Sequence, residues 1–522
     1  MTGPSPLGID LGTTFSVVAA VDGHGRAEVL RNELDEQTVP SVVHFESPSS
    51  VLVGSAARDA GALDPQHTVA LIKRQMGTGR LLEFFGTAHT PESISALILR
   101  ALVQGVAVGR TGPQPGAGTP VPAVVTVPAY FGIAEREATH QACLLAGIEV
   151  LELVSEPVAA AIHYGLSGPS EHGLAVVYDL GGGTFDATLL KLGERMAVLA
   201  TDGDAGLGGA DWDTRLADHL LDRFTEATAG EAEPAEDPAF TADLRLAAER
   251  LKRDLTRALG QLVTVRHGDR AVRVSVTRDE FEAMTRDLVD QTLLVVRRLL
   301  RQAGRVPAEV DRVLLVGGSS RMPMIASALA AEFGWRPRLH DPDLAVAKGA
   351  ALRAHHLVRL THPGIMLARA GAELATVVPR GLGLLVEDSD DPAAARLFVD
   401  HVIRQNEPLP ILDRAAELAT ILRNQGRVKI SVYEQAGAVA SPEVAHNRMV
   451  LEGELIGLPA GLPAGSPIEV RFSLGLDGRL ELTAVEPRSR TSLRLEACVE
   501  GVIDTAARQQ AAGRLGAMSI RQ

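Results

Sequence analysis

The sequence predicts two similar α/β lobes followed by an antiparallel β domain, and three observations carry that prediction. A short apolar strand running into Asp and Gly occurs twice, as Gly8-Ile9-Asp10-Leu11-Gly12-Thr13-Thr14-Phe15 and as Val177-Tyr178-Asp179-Leu180-Gly181-Gly182-Gly183-Thr184-Phe185-Asp186. A third apolar strand, Val313 to Val316, ends in Gly317-Gly318-Ser319-Ser320-Arg321 with no acid. In the last third of the chain the pattern becomes alternation. It is clearest where Ile468, Val470, Phe472, Leu474 and Leu476 lead into Asp477-Gly478 and Leu480, Leu482 and Ala484 lead out. Two alternating runs joined by Asp-Gly read as a hairpin with one packed face.

The glycines at the strand ends let the backbone turn sharply and approach a ligand with no Cβ in the way. Successive N–H groups in such turns form an anion-binding concavity. Carboxylates at Asp10, Asp179 and Asp186 suit phosphate only with Mg²⁺ between. Two such turns suggest lobes gripping one polyphosphate from opposite sides, whereas one alone could be an ordinary turn.

At 522 residues the chain exceeds a single core, so two or more domains are expected. Apolar content of 46% with 22% charged residues is a globular balance. The net charge of −14 leaves no basic face for nucleic acid. Two distant cysteines, Cys143 and Cys498, argue against a disulfide framework and fit a reducing compartment. With no leader-like start and no membrane-length apolar run, the expectation is a cytoplasmic protein.

Taken in order, Leu7–Ala20 reads as strand, turn, strand, and Asp22 to Gly25 turns the chain into Ala27–Leu30. Val39–Phe45 is another strand. Val69–Met76 looks helical with Gly77 as its stop; on position alone Lys73 is an ordinary solvated lysine. Residues 92–108 form a helix, and Thr111–Pro122 a Gly/Pro-rich loop. Ala123–Val127 is a strand stopped by Pro128, followed by a helix from Ile133 to Ala146. Val150–Val154 leads into Ser155-Glu156-Pro157, where a carboxylate at a helix start needs no explanation beyond the helix dipole. Ala200–Asp211 is a flexible Gly/Asp segment, and Glu226–Pro238 an acidic surface loop. Residues 241–259 form a helix whose Glu249, Lys252, Arg253 and Thr256 also fit a salt-bridged surface face. An Ala-rich helix after Asp341-Pro342-Asp343 closes this half near His355 or His356. Leu357–Ala375 is irregular, Arg427–Tyr433 is a half-buried strand, and Gly453–Pro467 is a Gly/Pro-rich connection.

These motifs, in this order, resemble the heat-shock protein 70 (DnaK-type) chaperone family from about Leu7 to about Asp504. Val127-Pro128-Ala129-Tyr130-Phe131, Ser155-Glu156-Pro157 and Leu207-Gly208-Gly209 fit in register with the three glycine motifs. The resemblance implies an α/β actin-like ATPase of two lobes with ribonuclease H-like cores, followed by an antiparallel β-sandwich that binds peptide. It divides the chain into an ATPase domain (1–356), a linker (357–376), the sandwich (377–500) and a short remnant (501–522).

Residue by residue, the resemblance assigns ATP/ADP and Mg²⁺ to the cleft. Asp10 and Asp179 hold the metal largely through water. Gly12, Thr13, Thr14, Phe15, Gly181, Gly182, Gly183, Gly208 and Gly209 line the nucleotide. Lys73 sits at the γ-phosphate with Glu156, Thr184 and Asp186 around it, a set suited to transfer to water. Glu249, Lys252, Arg253 and Thr256, with Gly317, Gly318, Ser319, Arg321 and Asp343, frame the adenosine. Pro128 and Arg136 match the relay between domains. Val428 aligns with the floor of the client pocket and Ile421 with its arch, although a Val or Ile in a strand is more often plain core.

Implied partners are unfolded or extended client polypeptides, a J-domain co-chaperone and a nucleotide exchange factor, with no nucleic acid and no membrane. Three departures stand out. The family's acidic-apolar linker is replaced by a longer Gly-Ile-Met-Leu-Ala-Arg-Ala-Gly stretch. An acidic insertion occupies Asp388–Arg396. Only Val502–Gln522 follows the sandwich, so the helical lid is expected to be absent and client exchange fast. The stretch around residues 260–270 is also shorter than the family's, a departure that puts standard exchange-factor docking in doubt. Two other readings stand beside the chaperone. One is an ATP-dependent regulatory sensor holding one dedicated protein partner. The other is a small-molecule kinase of the actin-like superfamily, which leaves Lys73 and the β domain unused.

Overall fold

The two Asp-Gly strand–turn units each seed a sheet, and the third strand–turn unit joins the second of them. The structure, a computed structural model, describes residues 5–107, 120–166, 172–193, 196–228, 234–339, 341–360, 375–388, 396–437, 440–475, 479–496 and 505–522. In the first lobe, Leu7–Asp10 pairs antiparallel with Phe15–Val21 and parallel with Val121–Val127, which pairs parallel with Ile148–Ser155. In the second, Gly173–Leu180 pairs antiparallel with Phe185–Leu192 and parallel with Arg312–Val316, while Ala197–Asp204 takes the outer place. Both sheets are thus built on an antiparallel hairpin beside a parallel crossover strand. The central strands are buried on both faces, which explains their near-continuous Val, Leu and Ala, while the edge strand Ile148–Ser155 is only partly buried.

The helix Ala345–Leu360 crosses between the lobes at backbone contact. A Cβ on Gly8 would lie 2.0 Å from Ala351 N, and one on Gly349 would lie 1.7 Å from Ala159 O. Ala345, Ala347, Ala350, Ala351 and Ala354 line this crossing and are fully buried. Small residues here are a packing requirement.

In the sandwich, one sheet runs in the order Arg396–Ile403, Leu382–Asp388, Arg427–Gln435, Asn447–Ile456. The other runs Ile411–Ala419, Pro467–Leu474, Leu480–Val485, Ser492–Glu496. Ile468, Val470, Phe472 and Leu474 point into the core between them, while Glu469 and Arg471 face out. Ile133 and Ala134 of the first lobe belong to the same apolar cluster, so the sandwich is seated on the ATPase half.

Several local expectations are corrected. The Val69–Met76 helix is a strand pair, Thr68–Val69, and one 3-10 turn, Ile72–Gln75. Leu71 takes a left-handed conformation there that ends any longer helix. Val39–Phe45 splits into Val39–Pro40 and Val43–Ser47, and Ala200–Asp204 is strand before the Gly/Asp turn. Two helices reach into the supposed acidic loop, Gly209–Ala227 from before it and Pro238–Leu255 from its end. The crossing helix continues to Leu360, past the expected domain end at 356, and Asn447–Ile456 carries strand into the supposed Gly/Pro connection. The stretch around 260–270 forms the hairpin Gly260–His267/Arg270–Thr277. The Asp477-Gly478 turn, Cys498, most of the linker, most of the Thr111–Pro122 loop and positions 389–395 of the acidic insertion lie outside the described residues. Among the described residues no helix is long and apolar enough to cross a membrane.

Candidate active site

The two repeated turns face each other across the lobes. A Cβ on Gly182 would lie 2.0 Å from Thr14 Oγ1, and one on Gly183 would lie 2.1 Å from Thr13 Cγ2. No other residue type allows that approach. The second turn is closed by Gly181 N–H donating to Thr184 O at 3.0 Å. It also fixes the start of the next helix, because Gly209 and Ala210 N–H groups donate to Gly181 and Gly182 carbonyls at 3.0 and 2.7 Å.

On the cleft floor Lys73 Nζ donates to Glu156 Oε1 at 2.5 Å, with Lys73 only 5% exposed. The position-alone reading of Lys73 as a solvated lysine is thereby overturned, and Glu156 is its buried partner as well as a helix start. Asp10, Asp179 and Asp186 converge on the same pair. Burial first, then the charge of Glu156, pushes Asp10 up to about 7, against the pull of Lys73 and a 2.9 Å hydrogen bond from Thr126. Burial and neighbouring carboxylates push Asp179 and Asp186 well above the usual range. One ammonium among four carboxylates leaves negative charge to be compensated, and that donor set fits a hard divalent cation. Among the described residues no group of three or more His, Cys, Asp or Glu side chains is placed to hold a metal ion directly.

The residues that the resemblance assigns to the adenosine make the following contacts. Gly317 has φ 80°, and a Cβ there would meet Leu180 O at 2.4 Å and Asp179 Oδ1 at 2.6 Å. Arg321 Nε donates to Asp343 at 3.0 Å, and a Cβ on Gly209 would lie 2.2 Å from Ser319 Oγ. Lys252 Nζ donates to Gly209 O and to Asp213, each at 2.8 Å. The Arg253 guanidinium lies 5.1 Å from the Phe15 ring, joining the lobes, and also pairs with Glu249. Thr256 Oγ1 donates to Lys252 O at 3.1 Å, within its own helix. Gly12 and Gly208 complete the close backbone approaches, Gly208 against Gly183. Gly318 adds another, against Asp343.

Sequence reasoning missed Arg74, Asp211, Asp213 and Thr126. Arg74 bridges to the second lobe, donating to Gly183 O at 2.7 Å and to Asp211 at 2.8 Å. Its place beside Lys73, and the Asp-rich run after Gly209, were the available signals.

Pro128 and Arg136 do flank the contact between domains, but they do not make its ion pairs. Arg136 Nε donates to Phe131 O at 3.1 Å. The seam is instead built on Glu434, 1% exposed, which accepts from Ile133 N–H at 2.8 Å. Arg448 lies 3.1 Å from Glu135 and 3.3 Å from Glu434, and Arg380 lies 3.2 Å from Glu135 and 3.7 Å from Glu434. Burial opposes ionisation of both carboxyls. Arg380 and Arg448 nevertheless hold Glu135 below its usual value, while Glu434 stays raised. Asn406 adds a second contact, accepting from Thr201 N–H at 2.9 Å and donating to Gln302 at 3.0 Å. A long sequence separation hides the pairs that cross between the domains. Val428 lies in the sandwich core at 6% exposure, and Ile421 stands 46% exposed on the loop before it.

Fold and cleft together define an ATP-hydrolysing protein of the two-lobed actin-like class with an appended β-sandwich. The family model for Hsp70 protein matches residues 6–80 and 81–507. The chain is 35% identical over 492 residues to a chaperone protein DnaK of Thermosipho africanus, covering 92% of this chain and 77% of that one. It is 37% identical over 508 residues to a chaperone protein HscA homolog of Methylobacillus flagellatus, covering 92% and 76%. A further HscA homolog, from an Azoarcus species, is 38% identical over 507 residues. The chain belongs to the Hsp70 family of chaperones, and it is an ATPase.

Proposed function

We propose that this ATPase uses the hydrolysis of ATP to ADP and phosphate to control the binding of unfolded or extended polypeptide segments in its sandwich. The observation that carries the reading is the buried Lys73–Glu156 pair set among Asp10, Asp179 and Asp186, between two facing Thr/Gly turns. Asp10 and Asp179 would hold Mg²⁺ through water, and the ion would neutralise charge on the transferred phosphate. Thr13, Thr14 and the glycine turn offer hydroxyls and N–H groups to phosphate oxygens. Lys73 stabilises developing charge, and Glu156, Thr184 and Asp186 orient the attacking water. Lys252, Arg253 and Arg321 frame the base and sugar.

Clients would enter beside Val428 under Ile421, with a J-domain co-chaperone and an exchange factor as further partners and the cytoplasm as the compartment. Coupling would run through the seam at Ile133 and Glu434, which supports communication despite the atypical linker. The test is steady-state ATPase of wild type and Lys73→Ala with a panel of unfolded peptides. Slow turnover, stimulated by peptides and reduced at least about a hundredfold in Lys73→Ala with nucleotide still bound, is expected. Turnover that no peptide changes would instead favour a sensor holding one dedicated partner.

A further inference from the structure

The segment after the sandwich does not lie over the sandwich. Its helix, Thr505–Ala517, packs on the first ATPase lobe against the helices Pro91–Ala107 and Ile133–Leu145. Ala511 and Leu515 are buried in that lobe's core, with Met518 and Ile520 packed beside them. Arg100 Nη1 donates to Leu515 O at 2.6 Å. The next residues, Ser519–Arg521, form a parallel strand on the edge of Ser50–Val53, with Ile520 opposite Val51. Gln522 Nε2 donates to Ala101 O at 2.5 Å, and a Cβ on Gly105 would lie 2.7 Å from that carboxamide. Arg521 pairs with Glu46 on the neighbouring strand.

The other end of the sandwich is also held. Val198 N–H donates to Ala375 O at 2.9 Å and Ala375 N–H to Met196 O at 3.1 Å, so the chain entering the sandwich runs along the edge of the second lobe's sheet. The sandwich is therefore fastened to one lobe where it begins and to the other where it ends. A thirteen-residue helix containing Gly513 and Gly516 has little stability of its own, so its order depends on this seat. An exposed strand edge is in turn a pairing template that a short in-chain strand satisfies.

We propose that residues 505–521 are an intramolecular clasp that fills the Ser50–Val53 edge and keeps the sandwich seated in every nucleotide state. Holding both ends turns re-seating of the sandwich into an intramolecular event at high effective concentration. The sandwich then works as a seated domain whose loops move, with no wide swing on a linker. This rests on the chaperone reading only for the meaning of the nucleotide states.

The test is hydrogen exchange at the Ile133 amide, which donates across the seam to Glu434. It is measured without nucleotide, with ADP and with ATP, in the full chain, in a chain ending at Gly501 and in full-length Ile520→Pro. The full chain is expected to protect this amide equally in all three conditions. The shortened chain and Ile520→Pro should lose protection by about tenfold or more, and a peptide of residues 505–522 added in trans should restore it to the shortened chain. Loss of protection in the full chain on ADP addition, or full protection in the shortened chain, overturns the clasp. Exchange of the Gly181–Gly183 amides reports nucleotide binding separately. If they ignore ATP, the proposed nucleotide site at these turns fails, while the nucleotide-free comparison still decides the clasp.

Discussion

Replacing Glu434 by alanine should open the seam without touching the cleft. The Ile133 N–H, satisfied at 2.8 Å, would be left buried without an acceptor, which costs about 1–3 kcal/mol. The pairs of Glu434 with Arg380 and Arg448 lie within the sandwich and are lost alike from the seated and the open form, and both arginines keep Glu135 across the seam, so these pairs add little. In the open form the Ile133 N–H is solvated, so the cost of its lost acceptor falls on the seated form. A penalty of about 2 kcal/mol shifts the seated-to-open ratio roughly thirtyfold. Glu434→Gln keeps an acceptor for Ile133 and loses only charge, so it should fall between wild type and alanine. The assay is exchange protection of the Ile133 amide, read beside peptide-stimulated ATPase. Protection within about twofold of wild type in Glu434→Ala would refute the reasoning, because a buried acceptor cannot be removed at so little cost.

Gly182→Ala should lower ATPase about a hundredfold with the fold retained, because its Cβ would force the lobes apart at Thr14; turnover near wild type would show that the turns separate in the working state. Gly132→Ala places a Cβ 2.3 Å from both Glu434 oxygens, so basal ATPase should survive while peptide stimulation is lost, in a paired assay of the two rates. His89 is packed against Phe45 and Phe84, and burial, then Arg514, lowers it to about 4. The unfolded chain therefore binds more protons between pH about 6.5 and about 4, and this part of the stability is complete above 6.5 and lost as pH falls towards 4. His89→Phe should show a smaller fall in Tm from pH 7 to pH 5 than wild type, and parallel curves would discount His89 as the titrating group.

The cleft was legible because its chemistry is local in sequence. Strand, acid, glycines and hydroxyl fall within a dozen residues at Asp10 and again at Asp179, and the spacing alone dictates a turn that can approach phosphate. The sandwich hairpin at Ile468–Ala484 was legible for the same reason, through a period of two. Lys73 was legible only through the family resemblance, because nothing near it in sequence foretells that Glu156 will meet it. The Val69–Met76 stretch carries helical apolar spacing, yet Leu71 in a left-handed conformation breaks it to present Lys73 and Arg74 to the cleft. Local periodicity yielded there to the needs of the site.

The seam joins the cleft to the sandwich by contacts that do not involve the linker. Tyr130 N–H donates to Asp186, a cleft carboxylate, at 3.3 Å, and the Arg380 guanidinium lies 6.0 Å from the Tyr130 ring. Three residues further on, Ile133 N–H donates to Glu434 in the sandwich. A backbone segment of four residues thus touches the reacting side of the cleft at one end and the client-binding domain at the other. If the chaperone reading holds, a change of charge at Asp186 would alter the hydrogen bond to Tyr130 and could be passed to the helix start at Ile133. Such a path would ask little of the sequence between residues 361 and 374, because it would run through packed backbone and buried ion pairs. The linker could then diverge in composition while Gly132, Glu135, Glu434, Arg380 and Arg448 keep the two domains in contact.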